Sequence, residues 1–120
     1  MTRFTTGFLV IALAVLVFAG AAQTMATPKL VGTVGPGFTI TLKKGTAKVT
    51  ALKAGTYTIR VQDKANIHNF HLFGPGVNKK TAVGATGTQT WTVKLKAGKY
   101  TYQCDPHASS GMKATFKVTG

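Results

Sequence analysis

The chain has 120 residues, with 15 lysines and arginines against 2 acidic residues, and a single cysteine. That length holds one small domain, the lone cysteine excludes an internal disulfide, and Asp63 and Asp105 are the whole supply for carboxylate chemistry. The positive surplus favours acidic partners and anionic membrane surfaces; the lysines are scattered over strands and turns, so no nucleic-acid partner is expected.

The first element is a targeting segment. Arg3 is the only charge before Lys29, and Gly7 to Ala19 is apolar, followed by small residues. A charged start, an apolar stretch and small-residue cleavage sites describe a secretory signal peptide. Cleavage fits after Ala21 or after Ala26. The second site is preferred, giving a signal peptide over 1–26 and a domain over 27–120. An uncleaved anchor is the other reading, but a spanning helix needs ~20 apolar residues and Phe8 to Ala22 falls short. The product is expected to be exported, periplasmic or extracellular, with membrane association as a variant. Export exposes an unpaired thiol to oxidation and cross-linking. Something must occupy Cys104, and a metal would do so while helping a small domain to hold its fold.

Beyond the signal the pattern is period 2, the mark of strands. Phe38, Ile40 and Leu42 alternate with polar neighbours, as do Tyr57, Ile59 and Val61, then Trp91, Val93 and Leu95. Tyr100, Tyr102 and Cys104 form another row, and Ala114, Phe116 and Val118 the last. Turns are expected at Lys43-Lys44-Gly45, Lys53-Ala54-Gly55 and Lys96-Ala97-Gly98, with a sharper break at Gly74-Pro75-Gly76. Residues 74–87 show no clear strand and read as a long connection. Leu52 to Thr58 echoes Leu95 to Thr101, which suggests one turn chemistry used twice. About seven short strands predict an all-β Greek-key sandwich; an open barrel is the structural alternative.

The chemistry lies in Cys104-Asp105-Pro106-His107-Ala108-Ser109-Ser110-Gly111-Met112. A thiolate, an imidazole and a thioether fall within one loop, and soft sulfur with imidazole selects copper or zinc over hard cations. A site of two histidines and a cysteine with a weak axial methionine is the blue-copper arrangement. Pro106 and Gly111 suit a tight loop that folds Cys104, His107 and Met112 toward one point. A second imidazole must come from His68 or His71. Strand alternation puts these on opposite faces, and both faces carry apolar residues, so parity leaves the choice open.

The pattern His68-Asn69, a long gap, then Cys104-x2-His107-x4-Met112 resembles the cupredoxins, in particular plastocyanin and pseudoazurin. The likeness runs roughly from Phe38 to Val118 and includes the stretch Asn66 to Val77. It implies a β-sandwich carrying one copper ion that alternates between Cu(I) and Cu(II). It also implies that His68, the histidine followed by Asn, is the first ligand beside Cys104, His107 and Met112. Asn69 would then brace the loop bearing Cys104, as hydrogen-bonded neighbours commonly orient metal ligands. All four ligand positions are filled; His71 is an addition relative to plastocyanin.

The function expected is transport of single electrons by a non-enzymatic monomer that meets acidic redox proteins transiently, through a small interface. An apolar patch is expected around His107, with Gly74-Pro75-Gly76 close by and lysines guiding the partner. Copper trafficking or storage would use the same ligands. A metal-free basic binding module on the same fold, or the copper domain of an oxidase complex, are the remaining readings.

Overall fold

The computed structural model describes residues 14–16 and 26–120. The expected signal peptide over 1–26 lies almost wholly outside these residues. Among the described residues no helix is long and apolar enough to cross a membrane.

Among the described residues ten strands run in chain order: β1 Lys29–Val34, β2 Ile40–Lys44, β3 Ala47–Lys48, β4 Ala51–Lys53, β5 Gly55–Asp63, β6 His71–Gly74, β7 Val77–Lys80, β8 Gly87–Leu95, β9 Gly98–Gln103 and β10 Lys113–Thr119. They form two five-stranded sheets, ordered β3-β2-β1-β5-β8 and β4-β10-β9-β6-β7. Pairing is antiparallel except for β1 with β5 and β4 with β10. This is the all-β sandwich that the alternation predicts.

Alternation sets the core. Tyr57, Ile59 and Val61 of β5, Trp91, Val93 and Leu95 of β8, Tyr100 and Tyr102 of β9, and Phe116 and Val118 of β10 are all buried. Aromatic rings fill the space between the sheets: Phe70 stacks on Tyr102 at 5.8 Å between centroids and meets Trp91 edge-on at 6.2 Å. The repeated seven-residue echo has a physical cause. Tyr57 Oη donates to the Lys53 carbonyl at 2.7 Å, and Tyr100 Oη donates to the Lys96 carbonyl at 3.0 Å. Each tyrosine ties its strand back to the turn four residues earlier.

Three details depart from the sequence pattern. Val77–Lys80 is a strand, although residues 74–87 read as a connection; only Val77 of the four is buried, so this edge strand offers no alternation. Phe38 lies in the loop before β2 and is 66 % exposed, whereas the row with Ile40 and Leu42 placed it in the core. Gly74-Pro75-Gly76 joins β6 to β7, and the Pro75 carbonyl lies 3.0 Å from Tyr100 Oη, sharing its one hydrogen with the Lys96 carbonyl. Pro75 packs against Gly98 at the start of β9, while Cys104 follows the end of that strand. That turn therefore sits at the end of the sandwich remote from Cys104.

Candidate metal centre

β9 delivers Cys104 from the interior into a 3₁₀ helix, Asp105–Ser110, which begins with Pro106 in its first turn. Proline fits there because its missing N–H needs no partner. The helix stops at Gly111, whose φ of 101° suits glycine alone among common residues. The loop is closed by backbone hydrogen bonds: Cys104 N–H donates to the Met112 carbonyl at 3.0 Å, and Met112 N–H to the His107 carbonyl at 3.2 Å. His107 N–H in turn donates to the Cys104 carbonyl at 3.1 Å. Cysteine, histidine and methionine are thus fixed to one another through the main chain before any side chain is considered.

His68 comes from the segment between β5 and β6, which is pinned on both sides. Ala65 N–H donates to Asp63 Oδ1 at 3.2 Å, and Phe70 N–H donates to Thr81 Oγ1 at 2.9 Å. Asp63 and Thr81 are both buried. A third support is Gly35, whose φ is +75° and where a Cβ would lie 3.0 Å from the His68 ring. Any side chain there would press on the imidazole.

These elements bring three donors together. His68 Nδ1 and His107 Nδ1 are 3.0 Å apart, and Cys104 Sγ lies 3.6 Å from the first and 3.4 Å from the second. A triangle with these edges has its centre about 1.9 Å from each corner, close to the ~2.0–2.3 Å of metal–imidazole and metal–thiolate bonds. Two imidazole nitrogens and a sulfur facing one point can share a single proton only incompletely. A cation there satisfies all three, so the donor set fits a soft metal ion. His68 and Cys104 are fully buried and His107 half-buried. Met112 is buried beside them on the same loop. His68 Nε2 is buried with no hydrogen-bond partner among the described residues.

His71 takes no part in this cluster. On β6 its Nδ1 lies 2.8 Å from Asp105 Oδ1 and its Nε2 2.6 Å from Asn78 Oδ1. Asn69, next to His68, is buried and pairs reciprocally with Asp105: its Nδ2 donates to Asp105 Oδ2 at 2.9 Å, and Asp105 N–H donates to its Oδ1 at 2.7 Å. Gln103 Nε2 also donates to Asp105, at 2.9 Å. Partial burial alone would raise the Asp105 carboxyl. The hydrogen bonds from Gln103, Asn69 and His71 outweigh it and hold the group at about 2.

Two residues of the site carry no motif signal. Phe38 meets the rings of His68 and His107 edge-on, at 5.3 and 5.0 Å between centroids, and the two imidazoles meet each other the same way at 4.9 Å. Asp105 gathers three side chains around the residue following the thiol. Its one visible hint is rarity, as one of two acids in the chain.

A family model of copper binding proteins, the plastocyanin/azurin family, matches residues 33–119. The chain belongs to this family. Its fold agrees with that of solved cupredoxins. Reduced rusticyanin is 21 % identical over 81 % of this chain and 82 % of its own, with a TM-score of 0.57. Rusticyanin from Thiobacillus ferrooxidans is 22 % identical over 80 % of this chain and 79 % of its own, with a TM-score of 0.55. A rusticyanin variant with methionine replaced by glutamine is 23 % identical over 80 % of both chains, with a TM-score of 0.59. At such identities the likeness is one of fold. No match is found among curated proteins. This cupredoxin is a blue-copper β-sandwich protein, and its cluster of His68, Cys104 and His107 is consistent with one copper ion.

Proposed function

We propose that this cupredoxin carries single electrons between redox proteins outside the cytoplasm, as the exported domain 27–120, with His68, Cys104, His107 and Met112 as the copper ligands. The observation that carries this reading is the convergence of His68 Nδ1, His107 Nδ1 and Cys104 Sγ on one buried point beside a half-exposed histidine ring.

Bound copper would supply a one-electron change between Cu(II) and Cu(I). The chain's own part is to hold the donors still. Backbone hydrogen bonds fix Cys104, His107 and Met112 in one loop, and Asp63, Thr81 and Gly35 fix His68. Donors that cannot rearrange keep the geometry nearly constant between oxidation states, which lowers the barrier to electron exchange. Burial of His68, Cys104 and Met112 keeps water out. Four donors from the chain leave no position for a substrate, so the protein acts as a carrier and not an enzyme.

Electrons would pass through the surface formed by His107 and Phe38. Lys64, Lys80 and Lys113 are exposed at this end of the sandwich and suit an acidic partner, met transiently by a monomer. The test is repeated reduction and reoxidation of the copper-loaded protein in the presence of a copper chelator. Many cycles with copper retained support the carrier. Release of copper on reduction overturns it in favour of copper trafficking.

A further inference from the structure

The strand register sorts the charges of this chain between the two ends of the sandwich. Val34, at the end of β1, pairs with Asp63, and the loop that follows reaches His68 through Gly35 and Phe38. Asp105 follows Cys104. Both acidic side chains of the sequence therefore lie at the metal end.

The opposite end is basic from both sheets. Lys29 opens β1 opposite Thr58, Lys43 and Lys44 close β2, and Lys53 closes β4 opposite Thr119. Lys96 occupies the turn between β8 and β9. Two lysine pairs sit directly across from each other on neighbouring strands: Lys43 with Lys48, and Lys99 with Lys117. Like charges in that position destabilise a sheet. All these lysines are exposed, and neither acidic side chain is near enough to pair with them.

A groove of about 550 Å³ opens at the same end, lined by Pro28, Lys44, Leu52, Lys53, Tyr57 and Thr119. Leu52 and Tyr57 give it buried apolar lining, and Lys44 and Lys53 line it as exposed cations. Unneutralised charge spread over a whole end and an amphipathic groove share one complement. That complement is a sheet of phosphate headgroups over hydrocarbon.

We propose that this lysine-bearing end docks on a bilayer rich in anionic phospholipid and turns the His107–Phe38 face away from the lipid. An anionic leaflet attracts basic clusters by about 1 kcal/mol per lysine near its surface, within a Debye length. Docking by this end leaves the copper side free for a soluble partner. It requires no metal, so its failure would leave the electron-carrier reading standing.

The test uses residues 27–120, a unit whose core, among the described residues, runs from Leu30 to Val118. The protein is sedimented with vesicles of phosphatidylcholine alone, or of phosphatidylcholine and phosphatidylglycerol in equal parts. Binding is expected only with phosphatidylglycerol, and salt should abolish it. The triple variant Lys44→Gln, Lys53→Gln, Lys117→Gln should bind roughly 100-fold more weakly. A triple of equal net charge at the metal end, Lys64→Gln, Lys80→Gln, Lys113→Gln, should stay within about threefold of the unaltered protein, its charges lying farther from the lipid than a Debye length. Equal losses in the two triples would overturn the proposal. So would a complete lack of vesicle binding, or capture by immobilised polyglutamate at a salt concentration where vesicles are not bound, which would assign the end to an acidic protein.

Discussion

Asn69 and Asp105 exchange two hydrogen bonds, Nδ2 to Oδ2 at 2.9 Å and Asp105 N–H to Oδ1 at 2.7 Å. One residue follows His68 and the other follows Cys104. The pair therefore fastens the two segments that supply the cluster, 36 residues apart in sequence. Asn69→Ala should lower the unfolding free energy by ~1–3 kcal/mol, because it leaves the Asp105 N–H without its partner. It should also speed copper extraction by a chelator. Asn69→Asp should be worse, since it sets a second carboxylate against Asp105. Urea unfolding and extraction kinetics of the two variants check this.

Phe38 rests edge-on against both imidazoles while remaining 66 % exposed. Its ring contributes little to the core but covers the rings of the site. Phe38→Ala should change the unfolding free energy by less than ~1 kcal/mol, yet increase the rate of copper loss to a chelator. A large loss of stability with unchanged extraction would reverse the role assigned to the ring.

Acid titration should separate the two carboxylates. Burial pushes the Asp63 carboxyl above its usual 3.8, with hydrogen bonds from Ala65 and Thr81 and the charge of His68 only partly offsetting it. The folded state then holds that proton more tightly than the unfolded chain. Stability from this group is greatest below 3.8 and falls as pH rises through the raised value. Asp105 runs the other way: its contribution is present above 3.8 and is lost as pH falls toward about 2. In metal-free protein, Asp63→Asn keeps an oxygen for Ala65 N–H and removes the first effect. Its stability relative to the unaltered chain should rise between about pH 3 and pH 7, because only the unaltered chain loses stability as Asp63 ionises. Urea midpoints across that range give the answer, and a falling difference would contradict the sign.

The facing Lys43 and Lys48 should repel each other in the folded state. Lys48→Gln should raise stability by ~0.2–1 kcal/mol at low salt, and the gain should shrink as salt screens the pair. Thermal unfolding at two ionic strengths measures both effects.

Much of this molecule is legible in the sequence where a regular strand carries the signal. β5, β8, β9 and β10 show alternating apolar residues, and those residues are buried, Ala114 only partly. The 104–112 loop shows its proline and glycine, and both act at its turns. Reading fails where the chain leaves regular geometry. His68 and Asn69 are adjacent yet both buried, because the segment before β6 is not a strand and alternation does not apply. Phe38 follows Gly37 in a loop, so its spacing from Ile40 says nothing about its face. β7 is an edge strand with three exposed residues, which no alternation marks. Asp105 is invisible as a hub because its partners come from three places: Asn69, His71 and Gln103.

Electron transfer by this cupredoxin requires that Cys104, His68 and His107 hold copper through a thiolate bond. The most direct test is the visible absorption spectrum during titration with copper(II), followed by reduction. An intense thiolate-to-copper band is expected that saturates at one equivalent, bleaches on reduction, returns on oxidation and is missing in Cys104→Ser. A protein that stays colourless with copper, or whose band persists in Cys104→Ser, would contradict it.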